Sequence, residues 1–324
     1  MADAAIVSFT STSRRMIDIM TRDWRSRWLG IDFSGNHRKW GAGCTSSNIW
    51  IADVRRDDGL VLFDLKVVQS LPGNESPFWR LRNLLAGRQF NAAAIDAPFS
   101  VPSLYAPHAK HRALLNVVSA IPRPGGQNFP QARDFVDRII LGHTLTTKKP
   151  LRETERHWQR LGVNVRSALW AGARGGAAMT SACLTLLHET GCPLWPWSLA
   201  GPGLLVEAFP AAQLRHWKLP HQKYDGKEKI ARSNRQQITD FLSRRIKIDP
   251  AMRKSMEDSA DALDAVICAV AGIAVTYGQV LQPSTVPPAA EGLIAVHSRF
   301  GERKASGFSK SDCLKNIRLW VRGR

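Results

Sequence analysis

Three short apolar runs in this 324-residue chain each end on an acid: Trp28-Leu29-Gly30-Ile31-Asp32, Ala92-Ala93-Ala94-Ile95-Asp96 and Leu204-Leu205-Val206-Glu207. Apolar runs of this length, bounded by Gly, Pro or Ser, suit strands of a sheet covered on both faces. They commit the chain to helices layered over a sheet. Two further acids, Asp261 and Asp264, lie in the apolar stretch Asp261-Ala262-Leu263-Asp264-Ala265-Val266, whose spacing predicts a helix. A carboxylate at the edge of a core is costly unless it is paired or metal-bound. Turn capping explains any one of the strand-end acids taken alone. Convergence of all four positions, Asp32, Asp96, Glu207 and Asp264, makes a divalent-cation site instead.

Around these runs the order of elements reads as α/β. Strands are predicted at 28–34, within 39–54, and at 60–68 after the turn Arg56-Asp57-Asp58-Gly59. A helix follows over 77–86 with Pro77 in its first turn, then a fourth strand at 92–96 stopped by Pro98 and Pro102. Residues 97–200 hold many Pro and Gly and predict helices near 130–142, 150–161 and 176–190, read together as a helical insertion between strands four and five. The stretch Gly172-Ala173-Arg174-Gly175-Gly176 lacks a P-loop lysine and is read as the start of a helix. Strand five spans 204–207, and helices are expected from Pro210 through Trp217, over 232–245, and from Ser255 to about Tyr277. After a Pro-rich linker at 283–288, residues 291–296 read as a final edge strand. The whole is a mixed five-stranded sheet flanked by helices over 27–298, between a flexible leader at 1–26 and a basic tail at 299–324.

The last helix can be resolved by angle. At ~100° per residue, Leu263, Val266, Ile267, Val270 and Ala274 fall within ~100° and define the buried face. Asp264 lies at about +100° from Leu263, Glu257 at about +120° and Asp261 at about +160°, one acidic stripe beside that face. Asp258, at about 220°, points to solvent. Asp264 ranks first as a ligand, Asp261 second and Glu257 third.

Charge narrows the partner. The chain has 45 basic against 27 acidic residues, a formal +18, which favours a polyanion, most often nucleic acid, over a merely solvated surface. Residues 215–254 concentrate twelve Lys or Arg against four acids, and Lys227, Lys229, Arg232 and Arg235 are the phosphate-contact candidates. Five dispersed cysteines give neither a disulfide framework nor a zinc site, which fits a reducing cytoplasm. No run approaches the ~18 apolar residues that span a bilayer. Hard oxygen donors without Cys or His nearby select Mg²⁺ or Mn²⁺. Two such ions ~3.5–4 Å apart serve phosphodiester hydrolysis without a Ser or His nucleophile.

In their order the acids resemble those of the RNase H-like fold, and the Asp261 to Ala265 stretch is similar to the final helix motif of RuvC-type Holliday-junction resolvases. More closely, Gly30-Ile31-Asp32, Ala94-Ile95-Asp96-Ala97-Pro98, Val206-Glu207-Ala208-Phe209-Pro210-Ala211 and Asp261-Ala262-Leu263-Asp264-Ala265 resemble the domain-of-unknown-function 429 family, described as predicted RNase H-like nucleases. The resemblance covers roughly 28–296. It implies a nuclease acting on DNA or RNA with Mg²⁺ or Mn²⁺, catalysis by Asp32, Asp96, Glu207 and Asp264, and Asp261 as an added metal ligand. Arg152-Glu153-Thr154-Glu155-Arg156 resembles a charged segment of that family, with Arg152 expected on a solvated helix face in preference to a phosphate contact. His108 and His111 are expected at the surface. Two other classes stay open: a catalytically silent nucleic-acid binder, and an actin-like ATPase or sugar kinase using Gly30-Ile31-Asp32-Phe33-Ser34-Gly35 as a phosphate hairpin.

Overall fold

A computed structural model describes residues 24–106, 111–141, 143, 145, 149–198, 201–281 and 291–298. The leader up to residue 23, His108, the linker at 283–288 and the tail at 299–324 lie outside the described residues. The apolar runs form strands where expected: β1 (Arg27–Asp32), β2 (Trp50–Arg56), β3 (Leu60–Val67), β4 (Ala92–Asp96) and β5 (Leu204–Glu207). A sixth, β6 (Ile246–Lys247), is only two residues long and adds to the outer edge of β3. The sheet order is β5-β4-β1-β2-β3-β6. Pairings β1–β2 and β2–β3 are antiparallel, whereas β1–β4, β4–β5 and β3–β6 are parallel.

Because successive strand residues point to opposite faces, the apolar runs divide between two cores. Leu29, Ile31, Ala93, Ile95 and Leu205 face one core. It is closed by α1 (Pro77–Ala86) and, from the stretch between β4 and β5, by α2 (His111–Ser119), α3 (Ala132–Ile139) and α5 (Ala177–Thr190). Helix α4 (Glu153–Arg160) belongs to the same stretch and packs Trp158 in a smaller cluster. Trp28, Ala92, Ala94, Leu204 and Val206 face the other core, beneath α9 (Ala260–Thr276). Helices α6 (Pro210–His216), α7 (Lys229–Ser243) and α8 (Pro250–Asp258) complete that side.

Gly30 sets how closely α9 approaches the sheet. A Cβ there would stand 1.9 Å from the Ala265 carbonyl oxygen and 2.3 Å from the Ala269 nitrogen, so the helix backbone rests directly on β1. Gly30→Ala must push α9 outward, and the expected loss is about 3 kcal/mol, the upper part of the range for overpacking. Urea unfolding of the two proteins reads it.

Two expectations change. The helix expected from Ser255 onward is two helices, bent by 113° at Ser259, whose side chain accepts from the Ala262 N–H at 3.2 Å and caps α9. Glu257 therefore leaves the acidic stripe: it sits on α8 and accepts from Arg253 Nε at 2.9 Å. The segment 291–296 is not a strand but a buried strap, touching strand-like partners only at the bridges Ala208–Ala295 and Val280–His297. Among the described residues no single helix is long and apolar enough to cross a membrane.

Candidate metal centre

The parallel register of β1 and β4 pairs Asp32 with Asp96. Adjacent strands lie about 4.8 Å apart, and partners in register point to the same face. That face is the one α9 covers. The close contact at Gly30 lowers Asp264, one residue before Ala265, onto the same spot. One oxygen each from Asp32, Asp96 and Asp264 lie within 4.8 Å of one another. Neighbouring oxygens around Mg²⁺ at about 2.0–2.1 Å stand about 2.9 Å apart, so the cluster closes on an ion by small side-chain movements.

The electrostatics describe a site short of positive charge. Burial holds the Asp32 carboxyl well above the usual carboxylate range, and Asp261, Asp264 and Asp96 push it the same way. Asp96 is pushed up to about 7 by burial, with Arg166 opposing and Glu207 adding. Burial and then Asp96 raise Asp264, against a hydrogen bond from Tyr224. Among the described residues none of the three forms a salt bridge. One buried and two half-buried carboxylates, with only Arg166 acting on Asp96 from nearby and with no Cys or His among them, fit a hard divalent cation. Asp261 flanks them in the first turn of α9, half-buried, its carboxyl raised by burial while Lys39 opposes.

Glu207 is not brought to this cluster. It pairs with Ile95, one residue short of Asp96, and a one-residue offset turns its side chain to the opposite face. There Arg152 donates Nη1 to Oε2 at 2.8 Å and Nη2 to Oε1 at 2.5 Å, and the Phe99 N–H donates to Oε2 at 3.0 Å. Arg152 is 1% exposed, so the expected solvated helix face is replaced by a buried guanidinium. Its Nε donates to Glu155 Oε1 at 3.0 Å, and its backbone N–H donates to Glu155 Oε2 at 2.9 Å.

The four basic candidates separate as well. Lys227 and Lys229 are exposed, and Arg232 is exposed beside Asp258 at 3.1 Å. Arg235 is buried and is no phosphate contact. Its guanidinium donates to the carbonyls of Glu257 at 2.7 Å, Tyr224 at 2.5 Å and Gly226 at 2.9 Å. Tyr224 was invisible in the sequence, an isolated aromatic in a basic stretch. Its hydroxyl donates to Asp264 Oδ1 at 3.0 Å and Oδ2 at 3.2 Å. The Gly30 to Gly35 stretch does not make a short hairpin of the kind expected for an actin-like ATPase, although β1 and β2 are antiparallel neighbours. Residues 33–49 separate β1 from β2, and Gly35 is pressed against the backbone of Ala178 and Met179 at 2.2 Å from a built Cβ.

His111 is half-buried, not the free surface residue expected. It stacks on Trp197 with ring centroids 3.7 Å apart, and Nε2 donates to the Phe99 carbonyl at 2.5 Å. Burial pushes it down to about 4, and burial and then His216 hold His297 at about 4 as well. A histidine depressed in the folded state contributes stability that is present above its unfolded value near 6.5 and lost as pH falls through the folded one. Each contribution is on the order of 3 kcal/mol at full shift. Chemical unfolding at steps from pH 7 to 4 should show the gap between the wild type and His111→Gln shrinking by that order over this window.

No curated protein and no solved structure matches the chain. The family comparison does: over residues 30–291 the chain matches the family described as a protein of unknown function, DUF429, and it belongs to that family.

Proposed function

We propose that this protein is a divalent-metal-dependent nuclease of RNase H-like architecture, cutting phosphodiester bonds of DNA or RNA. The observation that carries the reading is the convergence of the Asp32, Asp96 and Asp264 oxygens, one buried and two half-buried with no salt bridge to any of them among the described residues, where Asp32 and Asp96 end parallel strands. Supporting it, three antiparallel strands lie on one side of the sheet, and β4 and β5 run parallel to β1 on the other. An acid stands at the end of the central strand, another on its parallel neighbour and a third on the helix across them.

Bound Mg²⁺ or Mn²⁺ supplies a Lewis acid and a water activated near neutral pH. The chain supplies the rest. Asp32, between Asp96 on one side and Asp264 above, is the central donor, and Asp261 extends the acidic edge toward solvent. The exposed Lys227 and Lys229, on a +18 chain, hold the phosphate backbone. Neither Ser nor His is needed as nucleophile.

Incubation of the purified protein with single-stranded, duplex and junction forms of DNA and RNA, with Mg²⁺ or Mn²⁺ or with chelator, tests this. Metal-dependent cleavage is expected, and Asp32→Asn and Asp264→Asn should each lower it by at least about 10³-fold, beyond the 10–100-fold typical for groups outside the ligand set. Equal turnover in variants and wild type removes the site. Salt-sensitive binding with no turnover identifies a silent nucleic-acid binder instead.

A further inference from the structure

We infer that Tyr224 is the positioning residue of the cation centre: its hydroxyl fixes the Asp264 carboxylate so that its free lone pairs face Asp32 and Asp96. The inference rests on the reading of those aspartates as a divalent-cation site.

The hydroxyl is delivered by a rigid construction. The ring is 7% exposed and packs in the core beneath α9. The backbone behind it is fastened by Arg235, whose single guanidinium reaches the carbonyls of Tyr224, Gly226 and Glu257. Glu257 lies two residues before the bend at Ser259, so the same guanidinium ties the Tyr224 loop to the start of α9, the helix that carries Asp264. Asn234 adds a bond from Nδ2 to the Lys223 carbonyl at 3.0 Å. Tyr224 and Asp264 are thus held against each other by their backbones before their side chains meet.

The contact itself is suited to orientation. One phenolic proton lies between Oδ1 at 3.0 Å and Oδ2 at 3.2 Å, which fixes the plane of the carboxylate. The last torsion of an aspartate is otherwise broad and roughly two-fold. An ionised carboxylate has about four acceptor positions, so one phenolic donor leaves the others for an ion. A phenol adds no charge of its own. A lysine in this place would neutralise Asp264 and compete with the cation, whereas Tyr224 orients it and leaves its charge available. A ligand already held in its bound orientation loses less freedom when the ion arrives.

The test is calorimetric titration of Mn²⁺ into full-length wild type, Tyr224→Phe and Asp264→Asn, with melting in chelator to verify folding. Phe keeps the ring and its packing and removes only the hydroxyl. Expected are measurable binding by the wild type, a Kd raised about 10-fold or more in Tyr224→Phe, and no binding by Asp264→Asn. Wild-type affinity in Tyr224→Phe, or tighter binding, overturns the role of Tyr224 and leaves the cation site standing; tighter binding would make the hydroxyl a plug. Absence of Mn²⁺ binding in the wild type overturns both.

Discussion

Asp32→Asn should abolish metal-dependent cleavage and, in the same protein stripped of divalent ions, raise the melting temperature. The two effects have one origin. Asp32 is buried beside Asp264 and Asp96, with Asp261 close by, and no cation among the described residues pairs with it. Without an ion the fold bears the desolvation of that carboxylate and the repulsion among its neighbours. Asparagine keeps the shape and removes the charge. Function and stability therefore pull in opposite directions at this residue, as they do wherever a site is assembled from groups that repel. A domain of this size gains about 2–4 °C for each kcal/mol recovered. Added Mn²⁺ should reverse the ranking: an ion bound only by the folded wild type lifts its melting point and leaves the variant's unchanged. Differential scanning calorimetry with chelator and with Mn²⁺ reads both halves. A variant that melts below the wild type in chelator would mean that Asp32 is a structural residue.

Arg152→Ala carries the largest stability loss, about 3–5 kcal/mol, the range for leaving buried partners of an ion pair uncompensated. Glu207 loses the donor to Oε1 and one of the two donors to Oε2, and Glu155 loses the side-chain donor to Oε1. Both acids remain buried. The Glu291 carbonyl loses a donor too, at 3.4 Å, which loosens the strap that is hydrogen-bonded to the start of α4. Glu207→Gln should cost less, since an amide oxygen still accepts from the Phe99 N–H and from the guanidinium. Urea titration of the two variants checks the order. Equal losses would place the energy in the charge pair with Glu207, since Glu207→Gln leaves the packing of the arginine stem intact.

These outcomes also mark what could be read from residues in a row. Apolar runs closed by an acid are strong strand signals, so β1, β4 and β5 lie where the pattern puts them. Pro77 opens α1 and Gly191 closes α5 at a φ of 58°. Which face each terminal acid occupies was not legible, because it depends on the register between strands far apart in the chain. Glu207 and Asp96 end similar runs, yet a single residue of offset sends them to opposite sides of the sheet. Arginine misled for a related reason. Charge counts place it at the surface, but Arg152 and Arg235 each found enough acceptors from separate segments to be buried. The break before α9 did leave a trace. Asp249 and Ser259 both cap helices through their side chains, at 2.8 Å to the Ala251 N–H and 3.2 Å to the Ala262 N–H. Angular periodicity continued across the second cap and hid it. Tyr224 had no signal at all, since its role is a contact between residues forty positions apart.

The bend at Ser259 has an electrical consequence. One helix running from residue 250 to 276 would carry its positive pole at the far end of α8, several turns from the aspartates. Ending α8 and starting α9 creates a new pole, roughly half a unit of positive charge, in the turn that holds Asp261 and leads into Asp264. The bend thus sets a fixed partial charge beneath three aspartates that form no salt bridge among the described residues. It offsets part of the repulsion while the ion is away, yet occupies none of the oxygens an ion would bind.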